Sequence, residues 1–60
     1  MDDRYLDLSF NKIKHIKNID QLVNLSDLFF VSNRLSKIEN LETLMQLDNL
    51  ELGANKIRVR

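Results

Sequence analysis

Asp7, Phe29 and Glu51 recur at intervals of 22 residues, and Ser9 follows Asp7 by two. A pair of carboxylates can act as general acid and base, and a serine near an aspartate suggests an activated nucleophile. The rest of the chain supports neither chemistry. A triad needs a base between the two groups, and the one histidine, His15, shares its place in the 22-residue register with Lys37 and Val59, residue types that fit an unconstrained exposed position. On neighbouring parallel strands Asp7 and Glu51 stand about 10 Å apart, beyond the range usual for a pair of glycosidase carboxylates. A metal site has no cysteine and no second histidine to draw on. Gly53, the single glycine, cannot build a phosphate loop. The expectation is a protein that is not an enzyme, with no metal and no cofactor.

The same 22-residue shift governs the whole chain. It superposes Leu6-Asp7-Leu8-Ser9-Phe10-Asn11-Lys12-Ile13 on the segment Leu28 to Leu35, and that segment on Leu50 to Ile57, with no insertion. Ile16, Ile19, Leu22 and Leu25 likewise fall on Ile38, Leu41, Leu44 and Leu47. Each unit opens with an apolar alternation (Leu6/Leu8, Leu28/Phe30, Leu50/Leu52), which reads as a short strand with one face buried. Three residues on comes an asparagine in every unit: Asn11, Asn33 and Asn55. An amide turned inward at a tight bend both donates to and accepts from backbone groups, which left unpaired cost about 1–3 kcal/mol each. These three are expected to form a structural ladder.

The return segments place apolar residues at every third position, a period that suits 3₁₀ or irregular turns better than a long α-helix. Val23 and Met45 add an i+4 relation that would allow one helical turn in each, with Asn18 and Asn40 as caps. Stacked units of this kind bury a continuous apolar frame and make a solenoid. The expected fold is an α/β leucine-rich-repeat solenoid, with three short parallel strands on the concave face and 3₁₀ or short helical turns on the convex face. Its repeats run over about residues 5–26, 27–48 and 49–60, the last incomplete. Asp3 and Arg60 fall in apolar columns, so the expectation over residues 1–60 is an uncapped partial domain of a longer solenoid.

With Leu6 and Leu8 pointing inward, Tyr5, Asp7 and Ser9 face outward, matched by Asp27, Phe29, Val31 and by Asn49, Glu51, Gly53. Strands about 4.8 Å apart make these one patch. Its middle column sets an aromatic between two carboxylates, and an exposed phenylalanine with Tyr5 and Val31 beside it marks a partner surface. Eight of the nine basic residues fall in 12–17, 34–39 and 56–60, after each strand, with Lys12, Arg34 and Lys56 in one column and Lys14 and Arg58 in another. A phosphate-binding edge and a plain solvated rim both fit that distribution, and the rim is the simpler expectation.

Nine basic and nine acidic side chains cancel, which gives no bulk attraction for nucleic acid or membrane. The longest apolar run, Leu28 to Val31, is too short to span a bilayer, and no apolar stretch behind Met1-Asp2-Asp3-Arg4 resembles a signal peptide. An intracellular setting is the default. A chain of this length hides only roughly 60% of its unfolded surface, and it has no disulfide to compensate.

The unit Leu-x-Leu-x-x-Asn-x-Ile resembles the 22-residue subclass of leucine-rich repeats. Leu6-Asp7-Leu8-Ser9-Phe10-Asn11, Ile38-Glu39-Asn40-Leu41 and Leu50-Glu51-Leu52-Gly53-Ala54-Asn55-Lys56-Ile57-Arg58 are similar, more closely, to the leucine-rich regulatory subunits of protein phosphatase 1. That resemblance covers about Tyr5 to Arg58. It implies a concave face that binds the phosphatase catalytic subunit, in nucleus and cytoplasm, with Asp7, Phe29 and Glu51 in the family's alternating acidic and aromatic column. Tyr5, Ser9, Asp27, Val31 and Asn49 complete the expected contact set. Members of the family carry more repeats and a C-terminal cap. Two alternatives remain open: a leucine-rich scaffold for another partner, and a truncated product without independent function.

Overall fold

The computed structural model describes residues 4–57. It contains three short strands, β1 (Tyr5–Asp7), β2 (Asp27–Phe29) and β3 (Asn49–Glu51), in one parallel sheet of order β1-β2-β3. The register keeps the repeat: Leu6 pairs with Leu28 and Leu28 with Leu50. Inter-repeat bonds extend the ladder beyond the strands, from Leu8 N to Phe29 O (2.8 Å) and from Phe30 N to Glu51 O (2.9 Å). Segments 8–26 and 30–48 are the crossovers that parallel pairing requires, and here they contain no helix.

The apolar frame fills the space between these crossovers. Ile16, Leu25, Leu28, Phe30 and Leu35 are the most completely buried side chains, joined by Ile19 and Leu44. Leu6, Leu8, Leu50 and Leu52 pack against them and stay half-buried, because each outer strand has a neighbour on one side only among the described residues. Ile38 departs from expectation. It shares the column of the fully buried Ile16, yet is 52% exposed. Ile16 lies under the second repeat, and the residue in register beyond Ile38, Arg60, lies outside the described residues. Asp3 and Arg60, the two polar residues in apolar columns, lie outside the described residues.

The return segments keep the expected period of three but form no helix. Leu22 N bonds to Ile19 O and Leu25 N to Leu22 O, with the same pattern over Leu41, Leu44 and Leu47, at 3.0–3.1 Å. These are i→i+3 bonds, but they close separate turns set end to end, each anchored by an apolar residue at its corner. The period of three fits this arrangement: the third residue goes inward and the two between it stay out. Val23 and Met45 are therefore exposed, at 50% and 85%, and make no helical turn. Asn18 and Asn40 do not cap anything; both hold positive φ (64° and 61°), and Asn40 Nδ2 donates across to Ile16 O. Thr43 Oγ1 makes a second cross-link there, to Asp20 O at 2.6 Å.

The bend after each strand is the most constrained part of the chain. Phe10, Ser32 and Ala54, one per repeat, all have φ between 56° and 60°. The left-handed region costs an L-residue roughly 1–2 kcal/mol. In the first two repeats the main-chain N–H at this corner is used between repeats, from Phe10 N to Val31 O (2.8 Å) and from Ser32 N to Gly53 O (2.9 Å). The asparagine that follows completes the bend. Asn33 Nδ2 donates to Phe30 O (3.0 Å) in its own repeat and to Leu8 O (2.9 Å) in the preceding one, while its Oδ1 accepts from Ile13 N (3.1 Å). Asn55 repeats the pattern with Leu52 O, Phe30 O and Leu35 N. Asn11 bonds within its own bend, to Leu8 O and Ser9 O, and is exposed.

Two stability outcomes follow from this geometry. Asn33→Ala strands several buried backbone groups and should cost at least about 2 kcal/mol; Asn11→Ala, whose bonds face solvent, should cost clearly less in the same denaturant titration. Equal losses would remove the inter-repeat role assigned to Asn33. Ala54→Gly relieves a positive φ, and should raise the unfolding midpoint by an amount worth up to about 1 kcal/mol.

Candidate functional site: the outward strand face

The side chains that alternate with the buried leucines share the open face of the sheet. In-register pairing sets Tyr5, Asp27 and Asn49 in one row and Asp7, Phe29 and Glu51 in the next. Tyr5 and Phe29 are diagonal neighbours, and their rings meet with centroids 5.1 Å apart at 45°. That tilted contact is favourable for two quadrupoles and keeps Phe29 partly covered, while Tyr5 remains 54% exposed. Asn49 Nδ2 donates to Asp27 Oδ1 at 3.2 Å, a polar cross-strand pair beside the rings. Glu51 is exposed. The face is thus an aromatic centre with carboxylates on both sides.

Its far edge is more structural than the residue types suggest. Ser9 Oγ accepts from Val31 N (3.1 Å), so the hydroxyl joins two repeats. Ser9 N donates to Asp7 Oδ1 (3.0 Å), closing a turn over the end of β1. Val31 is half-buried and Gly53 exposed. Asp7 and Ser9 do lie together, but as a turn and not as a nucleophile with its base. The Ser9 main-chain N–H, and then its side chain, hold the Asp7 carboxyl below its ordinary value of 3.8.

A second assembly lies on the bends that follow the strands. Lys14, His15, Arg34, Ser36 and Lys56 line a groove of about 510 Å³. Of the basic columns read from the sequence, Arg34 and Lys56 meet here; Lys12 is not among the lining residues, and Arg58 lies outside the described ones. Beside the groove Glu39 faces two nitrogens, His15 Nδ1 at 3.4 Å and the Lys37 ammonium at 3.7 Å. Its Oε2 is sealed from solvent and makes no hydrogen bond. Sequence reasoning passed over Glu39. The signal was present, since Glu39 replaces Lys17 of the preceding repeat and sits two residues from Lys37. Among the described residues no group of three or more histidine, cysteine, aspartate or glutamate side chains could hold a metal.

A depressed carboxyl in the folded state adds stability above the unfolded value near 3.8, and that contribution is lost as pH falls through the folded value. A carbon-detected NMR titration should place the Asp7 midpoint below 3.8. Ser9→Ala should return it only part of the way, because the larger cause is the main-chain N–H. A midpoint at or above 3.8 in the parent chain would contradict the turn.

No family model matches this chain. Over 52 residues it is 44% identical to the protein phosphatase 1 regulatory inhibitor subunit PPP1R7 homolog of Arabidopsis thaliana. The matched stretch is 87% of this chain, which spans 16% of that relative's length. That relative is named as a regulatory inhibitor subunit and not as an enzyme. The unbroken 22-residue register, the three parallel strands it produces and this identity together make the chain a stretch of PPP1R7-like sequence, similar to the regulatory subunits of protein phosphatase 1.

Proposed function

We propose that this chain is part of a leucine-rich-repeat solenoid that binds the catalytic subunit of protein phosphatase 1 and regulates it without chemistry of its own. The strand face is the concave, partner-facing side in this reading, and the successive turns over Ile19–Leu25 and Leu41–Leu47 form the convex side. The supporting observation is Phe29: an aromatic side chain on an open sheet face, packed on Tyr5 and set in register between Asp7 and Glu51. Aromatic side chains at the centre of a patch carry a disproportionate share of binding energy. Asp27, Asn49, Ser9 and Val31 frame it. The resemblance to a regulatory inhibitor subunit of protein phosphatase 1 supports the phosphatase as the partner.

Size tempers the affinity. A standard interface takes about 800 Å² from each partner, or some 20–30 residues a side. The outward residues of three short strands supply only part of that, so further repeats of the kind found in longer relatives would contribute the remainder.

The test is capture of the purified phosphatase catalytic subunit by the immobilised chain. Phe29→Ala should weaken capture by about tenfold or more, as expected for a central aromatic. Met45→Ala, on the opposite side and 85% exposed, should leave it unchanged. Undiminished capture by Phe29→Ala would reject this face. Absence of capture by the parent chain, with another protein retained at its place, would favour a scaffold for a different partner.

A further inference from the structure

The basic groove is independent of the aromatic face. Arg34 and Lys56 hold equivalent places in successive repeats, as do Lys14 and Ser36. Stacked repeats therefore set cation next to cation, about 5 Å apart at the backbone, with a hydroxyl next to a lysine. Glu39 is engaged by His15 Nδ1 and by Lys37 Nζ, and among the described residues no ion pair joins a carboxylate to Lys14, Arg34 or Lys56. Three cations against the one neighbouring carboxylate, Glu39, which Lys37 already pairs, leave a local positive potential that an anion would relieve.

The backbone under these cations is tied down. Arg34 N donates to Ile13 O (2.8 Å), Lys56 N to Leu35 O (2.9 Å) and Leu35 N to Asn55 Oδ1 (2.9 Å). The charges ride on the same hydrogen-bond ladder that holds the repeats together, so a ligand need order only side chains, and the entropic cost of binding is correspondingly small.

We propose that this groove binds a phosphate monoester carried on a peptide, a phosphoserine or phosphothreonine segment of a partner protein. Arg34 offers a planar fork that matches two phosphate oxygens. Lys14 and Lys56 act as point charges, and the Ser36 hydroxyl is a donor for a remaining oxygen. A phosphorylated side chain brings close to two negative charges and three acceptor oxygens, more than a plain carboxylate provides. Nucleic acid fits less well: no Phe, Tyr or Trp lines the groove to stack a base, and the lining cations span only three repeats.

The test is an NMR titration of the isotope-labelled 60-residue chain with four probes: a short neutral phosphoserine peptide, its unphosphorylated form, inorganic phosphate and an oligothymidylate. The phosphopeptide should perturb the resonances of the lining residues and bind at least about tenfold more tightly than the unphosphorylated form. Its affinity should fall as salt rises. Arg34→Gln should weaken it by about tenfold, and Lys56→Gln, at an exposed site, should weaken it in the same direction should the first variant fail to fold. Phe29→Ala should leave it unchanged, which separates this site from the proposed phosphatase-binding face. Equal binding of the unphosphorylated peptide, or no perturbation of the groove, overturns the proposal. Tighter binding of the oligothymidylate assigns the groove to nucleic acid, and inorganic phosphate binding as tightly as the phosphopeptide removes the peptide; either result also overturns it.

Discussion

The amide of Asn33 joins what would otherwise be separate loops. It closes the bend after β2 through Phe30 O, reaches the preceding repeat through Leu8 O and accepts from Ile13 N. One side chain, itself buried, thus satisfies backbone groups on both sides of a repeat boundary. Parallel strands of three residues offer too few ladder bonds to hold a sheet by themselves. The asparagines extend that ladder around the corner, and the left-handed residue before each one sets the angle at which the amide enters. Register, apolar stacking and the outward face all depend on this corner repeating without slippage.

The period, the strands and the inter-repeat role of Asn33 and Asn55 were legible because each is a matter of residue type at fixed spacing; Asn11, of the same column, stays exposed and bonds only within its own bend. A shift of 22 brings leucine onto leucine, and hydrogen-bond geometry then requires the strands to pair as they do. What was not legible depends on neighbours. Ile38 and Ile16 are the same residue type in the same column, yet one is exposed and the other buried. Val23 and Met45 sit at helical spacing, but closing separate three-residue turns leaves them outside. The positive φ at Phe10 could not be read from its type, because the position is set by the repeat and the residue tolerates it. Glu39 was legible only in part: Lys37 is two residues away, but His15 comes from the preceding repeat.

The repeat also sorts charge. Cations at the bend after each strand fall in one column, Lys12, Arg34 and Lys56, while the outward strand column sets Asp7 and Glu51 on either side of Phe29, because the register puts equivalent positions of successive repeats side by side. A chain with no net charge can therefore present an acidic aromatic face next to a basic groove. Overall charge says little about what such a chain attracts; the column does. This is why the balance of nine acidic against nine basic residues excluded bulk attraction without excluding local recognition.

Stability and recognition meet on β2. Leu28 and Phe30, inward neighbours of Phe29, are almost wholly buried, whereas the corresponding leucines of β1 and β3 are half-buried. In a stack whose stability is a sum over neighbouring repeats, the middle strand has two interfaces and the outer strands have one. The aromatic at the centre of the proposed partner face thus stands on the best-supported backbone in the sheet. Its flanking carboxylates, Asp7 and Glu51, stand on the least supported, and the turn from Ser9 N to Asp7 Oδ1 is what steadies one of them. An anchor on rigid backbone with adaptable charges around it costs little ordering on binding. Additional repeats on either side would extend that rigidity from the aromatic to its carboxylates, so lengthening the stack strengthens the existing contacts as well as adding new ones.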